Sequence, residues 1–229
     1  MTQERYERNI GTITLQENEK LKRCRVCVIG CGGLGGYVIE ELSRMGVGHI
    51  TAVDGDAFQI SNLNRQILSS ESVLGQAKAL AAKERVEAIN SHVELVPVCC
   101  YITDDNASEI LSKGYDAVVD ALDNITGRRI LEKHCKEQNL PLIHGAIAGW
   151  HGQVAVIMPG DELFRRLYPD EAADKGAETE TGNPSFTPAV TASIQTAEVI
   201  KVLLSRPQIL RNKLLTIDLL EQEYEVIEL

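Results

Sequence analysis

An α/β fold is predicted for this 229-residue chain, with a mostly parallel sheet, helices on both faces and an antiparallel extension at the C-terminal end. Three observations predict it. Short apolar runs rich in Val and Ile alternate with longer helical patterns, which is the signature of parallel strands joined by right-handed crossovers. The first of these runs ends in Gly30-x-Gly32-x-x-Gly35 and leads straight into a helical pattern. The last three apolar runs are too closely spaced for helical crossovers, so they extend the sheet antiparallel.

In chain order, residues 1–23 form a polar N-terminal arm and a first helix near Leu15–Lys22, opened by the capping box Thr14-x-x-Glu17. Strands are predicted at Arg25–Ile29, His49–Val53, Glu94–Val98, Ala117–Asp120 and Leu142–His144. Helices are predicted at Gly33–Met45, Gln76–Ile89, Asn106–Leu111, Thr126–Gln138 and Pro188–Leu204. The closing strands are Gln153–Ile157, Leu214–Ile217 and Glu223–Ile227. Residues 159–187 make one long irregular segment punctuated by Pro159, Gly160, Pro169, Gly182 and Pro184. A loop of that length is functional or disordered more often than a plain connector. No repeat and no second domain is visible, so residues 1–229 are expected to form one domain.

Composition narrows the function classes. A hydrophobic content of 44% supports one sizeable core, and no stretch approaches the ~18 apolar residues of a membrane span. The opening MTQERYERN is polar and carries acids, unlike a targeting segment, so a cytoplasmic location without membrane attachment is expected. The formal charge of −10 argues against a nucleic-acid partner and favours a small molecule or a protein. Cys24, Cys27, Cys31, Cys99, Cys100 and Cys135 lie mainly in apolar surroundings and read as reduced, buried thiols. Cys24-x-x-Cys27 runs into a strand, where positions three apart face opposite ways, so no zinc is expected there.

The glycine loop lets backbone approach a phosphate at the N-terminus of a helix, which suits either a dinucleotide or a nucleoside triphosphate. Gly30, Gly32, Gly33 and Gly35 are its candidate binding positions. Asp54 ends the second strand about 20 residues beyond the loop, where a carboxylate accepts from ribose hydroxyls; its plain alternative is a turn with Gly55. Asp56 either helps to hold adenosine or closes the same turn. Arg65 and Lys78 favour a triphosphate, because fixed cations add little to a pyrophosphate already satisfied by backbone amides. Lys78, one turn into an Ala-rich helix, would ordinarily be a solvated helix former. Asp123 follows the fourth strand at its C-terminal end, where ligands bind in open α/β sheets, but such an aspartate also caps helices. Asp120 reads as a support for the loop, while His144, Trp150 and His151 are expected to pack near strand ends.

Several stretches together resemble the ubiquitin-activating-enzyme-like adenylyltransferases, the ThiF/MoeB/HesA group. They are RYERN at Arg5–Asn9, GCGGLGG, VDGDAFQISNLNRQ at Val53–Gln66, GQAKA at Gly75–Ala79, DALDN at Asp120–Asn124 and TAEVIKVLL at Thr196–Leu204, in one order along nearly the whole chain. The resemblance implies a Rossmann-like fold and an ATP- and Mg²⁺-dependent enzyme that adenylates the C-terminal Gly-Gly carboxylate of a small ubiquitin-like sulfur-carrier protein, as in molybdopterin or thiamine biosynthesis. It implies that Asn62 and Arg65 contact the outer phosphates with Gln66 nearby, that Lys78 serves the α-phosphate, and that Asp123 binds Mg²⁺. It further implies a homodimer in which Arg8 reaches the neighbour's site, and a crossover loop at 159–187 above the carrier's tail.

Two features depart from the group. Many relatives carry paired CxxC motifs for zinc in the C-terminal half, and several hold a loop cysteine, yet residues 136–229 contain no cysteine. Sulfur delivery is therefore expected from a separate donor protein. The alternatives are an NAD-dependent oxidoreductase, suggested by the glycine loop alone, a non-catalytic partner like the inactive half of a heterodimeric activating enzyme, which the full set of triphosphate contacts disfavours, and a tRNA-modifying member of the same group, which the acidic charge disfavours.

Overall fold

The computed structural model describes residues 4–169, 174 and 181–229. The predicted strands β1 (Arg25–Ile29), β2 (His49–Val53), β3 (Glu94–Val98) and β4 (Ala117–Asp120) form at the expected bounds, followed by β5 (Leu142–Ala148), β6 (His151–Ile157), β7 (Lys213–Asp218) and β8 (Glu223–Glu228). They make one eight-stranded sheet in the order β3-β2-β1-β4-β5-β6-β7-β8. Pairing is parallel from β3 to β5 and antiparallel from β5 to β8. This is the Rossmann-like arrangement with an antiparallel extension. β5 runs further than predicted because β6 pairs along its whole length, from Leu142↔Ile157 to Ala148↔His151, after a turn at Gly149 (φ +57°).

The helices are α1 (Leu15–Leu21), α2 (Gly33–Met45), α3 (Lys78–Ile89), α4 (Asp104–Leu111), α5 (Ile125–Glu137), α6 (Phe164–Leu167) and α7 (Phe186–Leu203). The Thr14–Glu17 capping box forms at α1. A second box, Thr103 with Asn106, starts α4 two residues before the predicted Asn106, which is the reach-back residue rather than the first of the helix. α3 opens at Lys78 instead of Gln76, because Ala77 is extended (ψ 130°) and bridges to Ala57. Lys78 therefore begins the helix instead of lying one turn inside it. α7 starts ahead of Pro188, which fits in a first turn where no intrahelical N–H bond is lost. Of the 159–187 segment, α6 was not foreseen, and residues 170–173 and 175–180 lie outside those described.

Alternation along the strands divides the core. Val26, Val28, Ile50 and Val119 face α2, α3 and α7, whereas Cys27, Ile29, Val53 and Val118 face α4, α5 and α6. Cys24 joins the first cluster and Cys27 the second, so the two thiols lie on opposite faces of the sheet. Cys31 and Cys135 are also buried, but Cys99 is exposed and Cys100 only half-buried. The expectation of burial fails for these two because they follow β3, an edge strand with no neighbour beyond it. Among the described residues no helix is long and apolar enough to cross a membrane.

Helix α2 leaves β1 toward one face, and α5 leaves the adjacent β4 toward the other, which opens a crevice at the carboxyl ends of these strands. Two glycines make the turn possible. Gly30 has φ +97°, and a Cβ on it would meet the Ala121 carbonyl oxygen at 2.6 Å; a Cβ on Gly35 would lie 1.8 Å from the Gly30 carbonyl oxygen. Backbone blocks both positions, so no rotamer change relieves the clash. Gly35→Ala is expected to cost about 3 kcal/mol or more, as severe overpacking does. Urea denaturation checks this; a loss below about 1 kcal/mol would mean that the turn can open.

Candidate active site

The crevice collects most of the predicted residues. Gly30 N–H donates to the Val53 carbonyl (2.8 Å), tying the glycine loop to the end of β2. The Asp54 carboxylate then accepts from the backbone N–H of Cys31 (2.7 Å) with one oxygen and from that of Asp56 (2.8 Å) with the other. Asp54 thus both closes its turn and braces the loop. Burial raises its pKa above the usual carboxylate range, against the two N–H donors and Lys78. Unlike Gly30 and Gly35, Gly32 and Gly33 have room: the nearest atoms to an added Cβ are Gln66 Nε2 at 3.6 Å and Pro188 Cβ at 3.4 Å. These two positions, beside the α2 N-terminus, are not closed off by backbone as Gly30 and Gly35 are.

Beneath Asp54, Lys78 is anchored by its backbone N–H to the Asp56 carbonyl (2.9 Å) and by Nζ to the Asp56 carboxylate (2.8 Å). With a side chain only 8% exposed, it is no solvated helix former. Burial pushes the Asp56 pKa up, but hydrogen bonds from Lys78 and the Tyr101 hydroxyl outweigh it and hold the pKa below the usual range. Tyr101, absent from the sequence reading, also lies against Gly55, where a Cβ would meet its ring at 2.7 Å. Gly30, Asp54, Asp56, Lys78, Tyr101 and Asp123 border one cavity of about 130 Å³.

A second cavity, of about 280 Å³, shares Ala121, Leu122 and Asp123 with the first and adds Gly33, Arg65 and Gln66. Asn62 serves its own turn, its side-chain oxygen accepting from the Gln59 N–H (2.9 Å). Arg65 donates to the Ser61 carbonyl (3.0 Å) and the Asn64 side chain (2.9 Å), both neutral, and among the described residues it pairs with no carboxylate. Gln66 is buried with its Oε1 unpartnered among the described residues. Asp123 is exposed, and the capping alternative fails: Asn124 is the N-cap of α5, accepting from Gly127 N–H (2.7 Å). The Asp123 carboxylate is left with a 3.4 Å contact to Asn124 Nδ2, which leaves it accessible to a hard cation.

Arg128 and Tyr168 of the supporting layer are not evident from the sequence. Arg128 falls on the apolar stripe of α5 with Ile125, Leu131 and Cys135, and an arginine on such a stripe was the available signal. Its guanidinium donates to the Leu122 carbonyl (2.8 Å) and the Tyr168 hydroxyl (2.9 Å). Asp120, fully buried, supports the β4–α5 loop as expected: one oxygen accepts from Leu122 N–H (3.0 Å) and the other meets His144 Nδ1 at 2.7 Å. Of the three residues expected to pack near strand ends, His144 packs inside the core, whereas His151 and Trp150 are exposed, since the β5–β6 hairpin lifts them clear of it; Trp150 packs on Phe186.

Arg8 is not brought to this crevice. It lies in a 3-10 turn, Glu4–Asn9, anchored by Tyr6 against Gly46 at the C-terminal end of α2. The glycine loop is at the other end of that 13-residue helix, about 20 Å away.

A family model described as the ThiF family matches residues 6–229. The chain belongs to the ThiF family. Among its relatives, it is 36% identical over 231 residues to the sulfur carrier protein adenylyltransferase of Thermus thermophilus, covering 96% of this chain and 85% of the relative. It is 34% identical over 229 residues to the SAMP-activating enzyme E1 of Haloferax volcanii, covering 98% and 84%. Its fold is similar to that of Escherichia coli MccB solved with ATP, at a TM-score of 0.83 and 23% identity, covering all of this chain and 71% of that one. This ThiF-family chain is an adenylyltransferase of the ThiF/MoeB group, and the oxidoreductase alternative is set aside.

The Asp120–His144 pair beneath the site makes a pH-dependent contribution to stability. Burial lowers the His144 pKa, against the hydrogen bond that its Nδ1 donates to the Asp120 carboxylate. As pH falls through about 6.5, the unfolded chain takes up a proton that the folded chain refuses, so stability falls with pH by at most about 1.4 kcal/mol per unit. Denaturation of the wild type and His144→Gln between about pH 7 and 5.5 should show that slope reduced in the variant; parallel curves would mean that His144 titrates alike in both states.

Proposed function

We propose that this chain joins AMP to the C-terminal carboxylate of a small ubiquitin-like sulfur-carrier protein ending in Gly-Gly, releasing pyrophosphate. The observation that carries the reading is the adjacency of three cavities. The cavity holding Asp54 and Lys78 meets the one holding Arg65 at Asp123. That second cavity shares Arg128 and Ile147 with a groove of about 440 Å³ over the antiparallel strands. A nucleotide thus has a pocket at one end, and a protein tail has an approach from the other.

A carboxylate is a poor electrophile, and attachment to AMP gives it a good leaving group. Attack by its oxygen on the α-phosphorus needs no protein nucleophile, only alignment and neutralisation of charge. Asp54 would accept from ribose, with Asp56 behind Lys78. Lys78 would face the α-phosphate, while Asn62 and Arg65, with Gln66 alongside, would meet the outer phosphates that leave. The N–H groups around Gly32 and Gly33 add the positive end of α2. Asp123 fits a Mg²⁺ ligand because it is exposed, lies where the cavities meet and is not spent on capping; the ion would neutralise phosphate charge.

Arg8, remote from its own crevice, is proposed to complete the neighbour's site in a homodimer. Sulfur would come from a separate donor protein, because residues 136–229 offer no thiol for a covalent stage. The pathway would be sulfur transfer of the molybdopterin or thiamine type.

ATP–pyrophosphate exchange against purified Gly-Gly-tailed carriers tests this reading. The wild type is expected to exchange with one of them, and Asp123→Asn to lose exchange while keeping its fold and much of its nucleotide affinity. Near-normal exchange in that variant would remove Asp123 from the mechanism. Arg8→Ala and Asp123→Ala, each inactive alone, should recover about a quarter of wild-type activity when their subunits are exchanged, because mixed dimers hold one complete site. No recovery after demonstrated exchange would reject the shared site.

A further inference from the structure

The segment that enters α7 is fastened to the β5–β6 turn. Gly149 N–H donates to the Gly182 carbonyl (2.9 Å), and the Thr187 hydroxyl donates to the Gly149 carbonyl (2.6 Å). Between those two points the Asn183 carbonyl accepts from Asn64 Nδ2 (3.1 Å), and Asn64 Oδ1 in turn accepts from Arg65 Nη1 (2.9 Å). A backbone carbonyl only accepts and a guanidinium only donates, so the two partners fix which way the Asn64 amide faces. The result is a relay from the sheet, through residues 182–187, to an arginine that borders the second cavity. The other bond of Arg65, from the same Nη1 to the Ser61 carbonyl (3.0 Å), stays within its own turn and ties the side chain to nothing beyond it. With both bonds on Nη1, Nε and Nη2 make none among the described residues. Those two nitrogens form an edge of the guanidinium that takes two oxygens of one anion side by side.

From this arrangement, and resting on the adenylation reading, we propose that Asn64 is a positioning residue that holds Arg65 ready for the outer phosphates of ATP. Asn62, the other asparagine of the SNLNRQ string, is spent on its own turn at Gln59. An arginine side chain is long and loses much rotamer freedom when a ligand orders it. Pinning one nitrogen beforehand moves part of that loss from binding to folding. A residue that acts in this way affects only ligands that reach Arg65, so ATP feels it and AMP, which lacks the outer phosphates, does not. It also has nothing to act through once the guanidinium is removed.

The test measures dissociation constants for ATP and for AMP, each with Mg²⁺, by titration calorimetry on the wild type, Asn64→Ala, Arg65→Ala and the double variant. Asn64 is exposed, so truncating it empties no space in the core. Asn64→Ala should weaken ATP about fivefold, the size expected when one long side chain must be ordered on binding, and leave AMP unchanged. Arg65→Ala should weaken ATP at least as far, and the double variant should be no weaker than Arg65→Ala, because both substitutions break one chain of interactions. Undiminished ATP affinity in Asn64→Ala, an equal loss for AMP, or a double variant in which the two losses add would overturn the inference; with Arg65→Ala still weak for ATP, the adenylation reading would stand. Unchanged ATP affinity in Arg65→Ala itself would overturn both the inference and the assignment of the outer phosphates to Arg65.

Discussion

Everything at this site depends on how closely the chain can pack where β1 turns into α2. The helix can begin only where its first turn lies against the carbonyl that ends the strand, and the space between Gly30 and Gly35 admits no side chain. That contact fixes the position of the α2 N-terminus, and with it the direction of the helix dipole across the crevice. The same turn presses on Ala121, just after β4, so the loop carrying Asp123 is positioned by the glycines as well. Two strands and two helices on opposite faces are thereby locked around one opening.

Polar contacts then arrange the charges. The Asp54 carboxylate holds the loop and faces the cavity, while Asp56 holds Lys78 down at the start of α3. Behind them, Asp120, His144, Gln153, Tyr168 and Arg128 form a connected layer, with Gln153 donating to the Tyr168 hydroxyl at 2.9 Å. A layer of this kind is costly to leave half-satisfied, so it stiffens the boundary between the two crevice cavities and the groove. Arg65 and Asp123, by contrast, are held only by weak or neutral partners. Charges left uncompensated at a cleft are those available to a ligand.

Much of the fold was legible because its signals are local. Short unbroken apolar runs at β1, β2 and β4, the apolar run of β3 and the glycine turn need no knowledge of the rest of the chain, and the first four strands match to the residue. Boundaries failed where a distant partner decided them: β6 prolongs β5, and the Ala57–Ala77 bridge delays α3. At the site, Asp54, Lys78, Arg65 and Asp123 could be selected because they follow strand ends or a recognisable string. Tyr101 and the Arg128–Tyr168 contact could not, since their partners lie 45 and 40 residues away in sequence. The exposure of Cys99 was hidden for a related reason, because an apolar neighbourhood in sequence does not reveal that β3 is an edge.

The central claim is that the crevice directs a carboxylate oxygen onto the α-phosphorus of ATP. The most direct measurement is isotopic: a Gly-Gly-tailed carrier labelled with ¹⁸O in its terminal carboxylate is incubated with ATP, the product is discharged with a small thiol, and the AMP is weighed by mass spectrometry. Attack at the α-phosphorus leaves one ¹⁸O in the AMP, because the bridging oxygen departs with the nucleotide. Unlabelled AMP, or label in inorganic phosphate formed with ADP, would contradict the account.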